Sequence, residues 1–242
     1  ALVTAQVVIR KDRVFFLKDC DRCGPSEALV SEDANYYVKA YSFARAGTQP
    51  LKFRNDVEHG CPTDCGTCDD HEQHTCLPIV EVTDHCNLEC PICIVDNHDS
   101  KHMEPATFAK IVDGLVEAEG ACESLALSGG EPTSHPQILE LLRIATSRSE
   151  IGRVVLITNG IRLGKDRELA RAIKDMGVYV GLQLDGFTAD VHLKIRGKDL
   201  VKEKTAALAI LAELDIPTQL IFVATKGVND HQVGKIVGWA IA

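Results

Sequence analysis

Three cysteines, Cys86, Cys90 and Cys93, stand three and then two residues apart in the run Cys86-Asn87-Leu88-Glu89-Cys90-Pro91-Ile92-Cys93. That spacing lets three thiolates converge on one small inorganic centre. Structural zinc sites and closed iron–sulfur clusters take four protein ligands, so a three-ligand site leaves one metal position open for chemistry. Ahead of the cysteines, Leu77-Pro78-Ile79-Val80-Glu81-Val82-Thr83 reads as a buried strand. Ser128-Gly129-Gly130-Glu131-Pro132 follows 35 residues after Cys93, at the end of another apolar run. Its glycines let backbone approach a ligand closely, and Glu131 offers an acceptor for an ammonium group. A zinc knuckle beside an unrelated glycine turn is the other reading of these residues.

The chain carries two further cysteine groups. Cys61, Cys65 and Cys68 repeat the three-then-two spacing, and Cys76 lies eight residues beyond Cys68. Four thiolates make a closed set, read as an auxiliary 4Fe–4S cluster with structural zinc as the alternative. This triplet has no strand before it and no correctly placed glycine turn after it, so it is not the open site. His59, His71 and His74 of the same loop are read as exposed polar residues. Cys20 and Cys23 form a knuckle that needs a second pair, expected upstream of Ala1, to hold a mononuclear iron or zinc. Two free thiols on a hairpin is the simpler reading. Cys122 is expected to be a buried thiol, and His98 and His102 are given no role.

Composition narrows the classes. The chain has 242 residues, 45% of them hydrophobic, enough for one sizeable domain and a small appendage. Net charge is −9 and no basic patch stands out, which argues against a phosphate-neutralising nucleic-acid surface. No apolar run reaches the length of a membrane span and no signal peptide is read at the start, so no transmembrane segment and a cytoplasmic location are expected. Ten cysteines gathered at short gaps in an enzyme-sized chain favour metal ligation in a reducing cytosol over disulfides.

The elements that must position these groups are legible from periodicity. Residues 1–57 read as a small β-rich region, with strands at 6–9 and 14–17 around the turn Lys11-Asp12-Arg13. Tyr36, Tyr37 and Tyr41 are expected to pack. Residues 58–76 form the auxiliary cysteine loop. From 77 to 242 strand and helix alternate, with strands at 78–83, 125–128, 154–158, 178–185 and 219–225. Helical stripes fall between and after them: Phe108, Ile111, Val112, Leu115 and Val116; Ile138, Leu141, Leu142 and Ala145; Leu169, Ala170, Ile173 and Met176; Ala207, Leu208, Leu211 and Ala212; Val233, Ile236, Val237, Ala240 and Ile241. Asn229-Asp230 is read as the cap of the last. Such alternation implies an α/β fold with parallel pairing and ligands at the carboxyl ends of the strands. Polar residues fall at those ends: Thr83; Ser128 to Glu131; Thr158, Asn159 and Gly160; Gln183 and Asp185; Thr225 and Asn229. Arg196 offers a forked donor for a carboxylate. Asn159-Gly160 as a plain turn and Arg196 as a surface ion pair remain open.

The pairing of Cys86, Cys90 and Cys93 with Gly129-Gly130-Glu131-Pro132 resembles the radical S-adenosylmethionine (SAM) superfamily. The resemblance implies a partial (βα)6 barrel, with about five units present, so that the chain stops before its last strand and is a fragment at both ends. It implies that the three cysteines hold a 4Fe–4S cluster whose open iron chelates the SAM amino and carboxylate groups. Ser128, Gly129, Gly130 and Glu131 would hold the SAM amino end. Asn159, Gln183, Asp185 and Arg196 would complete the methionine and ribose contacts, and Thr225 would lie near the adenine. Ile92 departs from the family, where an aromatic residue commonly lies near adenine; packing survives there, stacking does not. The implied chemistry is reductive cleavage of SAM to a 5′-deoxyadenosyl radical, which takes hydrogen from an unactivated carbon. The electron comes from a donor such as a ferredoxin or flavodoxin.

The run from Gly60 through Cys61, Pro62, Cys65, Gly66, Cys68, His71, Gln73, Thr75, Cys76 and Leu77 to the Cys86 loop is similar to the archaeal tetraether lipid synthase group, also described as pterin-modifying and methyltransferase-like. That group carries a rubredoxin-like N-terminal metal site, which would fit Cys20 and Cys23. The likeness implies carbon–carbon bond formation between lipid alkyl chains for characterised members, on an enzyme peripheral to the membrane. A pterin or other small-molecule substrate is the second reading, and a non-enzymatic zinc-binding module the third.

Overall fold

The computed structural model describes residues 3–43, 47–53, 55–60, 63–64, 73–95 and 100–241. The chain divides into two compact units, residues 1–48 and 49–242. The first holds an antiparallel sheet of β1 (Ala5–Arg10), β2 (Arg13–Cys20) and β3 (Gly24–Ser31), in that order, followed by helix α1 (Ala34–Ser42). Arg10 pairs with Arg13, so Lys11 and Asp12 alone make the first turn. Both have positive φ, 50° and 61°, as a two-residue hairpin loop that matches the strand twist requires. Cys20 closes β2 opposite Gly24, and the Cys23 N–H donates to the Cys20 carbonyl at 3.2 Å. The cysteine knuckle is thus the β2–β3 hairpin. Strand β3 has no sequence signature, because Gly-Pro-Ser-Glu at its start shows no apolar alternation. Asp33 caps α1, its Oδ1 accepting the Tyr36 N–H at 2.8 Å. The tyrosines do not enter a core. Tyr37 and Tyr41 stack on each other along the helix, centroids 6.0 Å apart, and Tyr36 and Tyr41 are exposed.

The second unit is built from β4 (Ile79–Thr83), α2 (Pro105–Glu119), β5 (Leu125–Gly129), α3 (Ile138–Thr146), β6 (Val154–Thr158), α4 (Arg167–Asp175), β7 (Tyr179–Gln183), α5 (Ala189–Arg196), α6 (Val201–Glu213), β8 (Thr218–Ile221) and α7 (Val233–Ala240). The five strands lie in consecutive order and every pair is parallel. This is the parallel α/β pairing the alternation implied, in the partial-barrel arrangement the family resemblance implied. Leu125, Leu127, Leu156 and Leu182 of the strands meet Phe108, Val112, Leu141, Leu142 and Ile173 of the helices in one buried core. Each such side chain contributes about 1.5–3 kcal/mol on burial, so the strand ends sit on a rigid base.

Two elements differ from expectation. Helix α5 went unread, because its apolar Val191 and Ile195 make a stripe of only one turn. Asn229 does not cap the last helix; Gln232 holds that position. Asn229 is fully buried, so its amide must be satisfied internally. Its Nδ2 donates to the carbonyls of Asp185 and Val223, both at 2.9 Å, and its Oδ1 accepts the Thr225 N–H at 2.7 Å. That fold-back ends β8 at Ile221, short of residue 225. Among the described residues no helix is long and apolar enough to cross a membrane.

Candidate active site

The cysteine loop leaves the carboxyl end of β4 and is pinned from three sides. Next to it, Gly130 N–H donates to the Thr83 carbonyl at 2.7 Å and Glu131 N–H to the His85 carbonyl at 2.8 Å. A Cβ on Gly130 would overlap the His85 and Asp84 carbonyls, and one on Gly129, whose φ is 118°, would overlap that of Thr83. The glycine pair therefore lets β5 press against the root of the loop. From β6, Asn159 Nδ2 donates to Asn87 Oδ1 at 2.7 Å. From α5, Arg196 Nη1 stands 4.0 Å from Cys90 Sγ. Within the loop, the Cys93 N–H closes a turn on the Cys90 carbonyl at 3.0 Å.

Cys86, Cys90 and Cys93 share one cavity of about 380 Å³ with Ile92, Ser128, Gly129, Gly130, Glu131, Asn159, Gln183 and Arg196. Leu88, Ile94, Val95, Ile157, Thr158 and Val223 complete its described wall. That volume lies within the ~300–1,000 Å³ of small-molecule sites. The donor set is three thiols, the soft ligands that iron–sulfur clusters use. Among the described residues no trio of Cys, His, Asp or Glu is drawn together as a metal site; the thiols stand on the cavity wall. The residues present fit a thiolate-held cluster with a small ligand beside it.

The charged residues expected to touch a ligand first satisfy one another. Glu131 is buried, and its Oε1 accepts from the Thr133 N–H at 3.0 Å and from the Thr133 and Thr158 hydroxyls, both at 2.6 Å. Its Oε2 accepts the Asn159 N–H at 2.8 Å. The carboxylate ties the end of β5 to the end of β6. Asp185 is fully buried and takes a bidentate pair from Arg196, Nε to Oδ2 at 2.7 Å and Nη2 to Oδ1 at 3.0 Å. Arg196 is no surface ion pair; it is 6% exposed. Asp185 is not on the described cavity wall, and neither is Thr225, where Val223 takes the place.

Sequence reading missed Lys204. It rises from α6 beneath the strand ends, 2% exposed, and its Nζ donates to the carbonyls of Asn159 and Gln183, each at 2.6 Å. It binds the end of β6 to the end of β7. Burial pushes its pKa down to about 8, although the Asp185 charge pulls it back up. A lysine in Val-Lys-Glu-Lys-Thr reads as a solvated face, and only its phase against Ala207 and Leu211, both buried, could have flagged it. A histidine row was missed too. His102 Nδ1 lies 2.8 Å from the Thr83 hydroxyl, and its ring stands edge-on between those of His85 and His135. His135 Nδ1 accepts the Gln137 N–H at 3.0 Å, so Nε2 carries the hydrogen toward the Met103 carbonyl at 2.9 Å. Burial holds His135 below its ordinary pKa.

Of the auxiliary set, Cys61, Cys65 and Cys68 lie outside the described residues, as do His71 and His98; Cys76 is exposed. Just before it in the chain, Asp64 Oδ2 accepts the N–H groups of Glu58, His59 and Gly60, which hold its carboxyl below the usual range. Cys122 is buried, and burial raises its thiol pKa.

A parallel α/β partial barrel with a three-cysteine loop and a glycine turn at adjacent strand ends defines the class. The sequence pattern of the Radical SAM superfamily matches residues 80–240, and the chain belongs to that superfamily. A 7,8-dihydro-6-hydroxymethylpterin dimethyltransferase of Methanocaldococcus jannaschii is 29% identical over 98% of this chain and 47% of its own length. A GTP 3′,8-cyclase of Chlorobaculum tepidum is 28% identical over 65% of this chain and 48% of its own. The chain thus spans about half the length of the curated relatives it matches. Among solved structures, anSMEcpe with bound AdoMet and a peptide superposes with a TM-score of 0.54 at 25% identity, over 68% of this chain and 46% of that one. Streptococcus suis SuiB bound to its precursor peptide superposes with a TM-score of 0.57 at 13% identity, over 98% of this chain and 61% of that one, a likeness of fold.

Proposed function

We propose that this chain carries the cofactor-binding core of a radical SAM enzyme, with Cys86, Cys90 and Cys93 as the ligands of a 4Fe–4S cluster. The observation that carries the reading is the single cavity that holds all three thiols beside Gly129, Gly130 and Glu131. When bound, the cluster and SAM supply a 5′-deoxyadenosyl radical that removes hydrogen from an unactivated carbon, the electron coming from a ferredoxin or flavodoxin. The chain's residues bind and orient. Cys86, Cys90 and Cys93 would hold the cluster and would keep one metal position for the SAM amino and carboxylate groups. Gly129 and Gly130 present backbone to the amino end. Gln183, Asn159 and Arg196 would face the remainder, and Ile92 would pack near the adenine. Asp185 and Lys204 hold those groups from behind. The strand-end cavity limits water and stray hydrogen donors.

The hydrogen donor is read as an alkyl chain of a lipid. Ile92, Ile94, Val95 and Val223 put an apolar wall in the cavity, and Ile94 is 99% exposed. On that reading the enzyme works in the cytoplasm at the membrane surface and joins alkyl carbons. The 29% identical pterin dimethyltransferase supports a second reading, methyltransferase-like modification of a pterin or related small heterocycle. Cys61, Cys65, Cys68 and Cys76 would hold an auxiliary 4Fe–4S cluster, and Cys20 and Cys23 would contribute to a mononuclear iron or zinc site.

Anaerobic reconstitution tests the core reading. Iron and sulfide should be incorporated, the reduced spectrum should respond to SAM, and 5′-deoxyadenosine should be released. Stoichiometric zinc, no iron and no SAM response would make the cysteine loop a structural knuckle. Deuterium transfer into 5′-deoxyadenosine from labelled alkyl lipid or from labelled pterin separates the two substrates.

A further inference from the structure

Resting on the core reading above, we infer that Arg196 raises the reduction potential of the cluster through a hydrogen bond to the Cys90 sulfur, and that Asp185 holds the guanidinium in that direction. The geometry leaves the side chain little freedom. Nε and Nη2 are both spent on Asp185, at 2.7 and 3.0 Å, which fixes the guanidinium plane. The nitrogen on the opposite side of that fork, Nη1, is the one turned to Cys90 Sγ at 4.0 Å. Asp185 is itself held: Oδ1 accepts the Val223 N–H at 3.2 Å, and its carbonyl accepts from Asn229 Nδ2 at 2.9 Å. Asp185 is not on the described cavity wall, while Arg196 is part of it.

The physical consequence is electrostatic. A reduced cluster carries one more negative charge than an oxidised one, spread partly onto its sulfurs. A cation 6% exposed, donating to one of those sulfurs, stabilises the reduced form more than the oxidised form. Hydrogen bonds to sulfur, net charge and burial are the levers that set such potentials. The Asp185 charge opposes the effect, but Arg196 lies between that carboxylate and the sulfur. Lys204 adds positive charge in the same region, with its Nζ committed to two carbonyls. Glu131 is covered by four donors.

The test is an EPR-monitored redox titration with dithionite, without SAM, on the reconstituted protein. Arg196→Gln strands a buried carboxylate, so the paired variant Asp185→Asn with Arg196→Gln, neutral throughout, is measured beside it. Both should show a midpoint more negative than wild type at equal iron and sulfide content. Arg196→Lys, which keeps charge without the fork, should fall between. Equal midpoints in wild type and the neutral pair overturn the inference. So does a variant set that loses SAM affinity while the SAM-free midpoint stays put, since that pattern belongs to a carboxylate clamp. If no neutral variant retains a cluster, wild type labelled with 15N-arginine decides: a 15N coupling to the reduced cluster is expected, and its absence overturns the inference. A wild-type protein with no reducible, SAM-responsive cluster refutes the core reading itself, which separates the two failures.

Discussion

Asn159 Nδ2 donates to Asn87 Oδ1 across 2.7 Å, joining the end of β6 to the start of the cysteine run. The amide cannot turn freely, because Asn159 Oδ1 accepts the Ile161 N–H at 3.0 Å. Replacing Asn159 by Ala removes the tether and costs about 1 kcal/mol for the bond. The melting temperature should fall by roughly 2–4 °C, and iron retained after desalting should drop. Asn87→Ala should lower iron retention to a similar degree. Full retention in both would mean the loop keeps its shape without β6.

Glu131 is a junction of four donated hydrogen bonds. Glu131→Gln places N–H hydrogens against some of those donors and strands them. With charge-assisted bonds lost in a buried site, a cost of about 3 kcal/mol is expected. Thermal melts should show roughly a 10 °C loss. Thr158→Val, which removes one donor, should lose less. A Gln variant as stable as wild type would show that the carboxylate is not an acceptor hub.

Lys204 predicts the direction of a pH dependence. Burial lowers its pKa to about 8 in the folded chain against an ordinary 10.5, so the folded ammonium gives up its proton first as pH rises. Between those values the unfolded chain binds the extra proton, so stability rises with pH. The cost of burying the charge is fully present below about pH 8 and fades toward pH 10.5, about 3 kcal/mol across the window. Lys204→Met should remove that rise while losing the two carbonyl contacts. Urea denaturation at pH 7.5 and pH 10 on both proteins measures the difference. Parallel pH profiles would place the lysine in water.

On the proposed assignment, Cys90→Ser removes a ligand of the SAM-binding cluster and should abolish release of 5′-deoxyadenosine. Cys65→Ser should leave release in place with strong chemical reductant and lower product formation only. Serine replaces thiolate poorly at both positions, so location alone differs. The reverse pattern would exchange the roles of the two triplets.

What the sequence determined is what depends on spacing along the chain. Cys86, Cys90 and Cys93 fall within one loop, so their gaps alone place them together. Phe108, Val112 and their kin repeat at helical period, and Leu125, Leu127, Leu156 and Leu182 occupy short apolar runs, so which faces are buried follows from periodicity. The order of strands follows too, because parallel units wind consecutively. Partnership was left to the tertiary structure. Glu131, Asp185 and Arg196 looked like three groups facing a ligand. Folded, Glu131 meets Thr158 and Asn159, 27 and 28 residues on, and Arg196 meets Asp185 and then Cys90, 106 residues back. Lys204, which carries no motif in the sequence, reaches carbonyls 45 and 21 residues away. A buried polar group takes whichever partner the packing brings near, because leaving it unpaired costs more than any local preference supplies. Periodicity tells which residues turn inward; only the packed strand ends decide which of them answer to one another and which remain for a ligand.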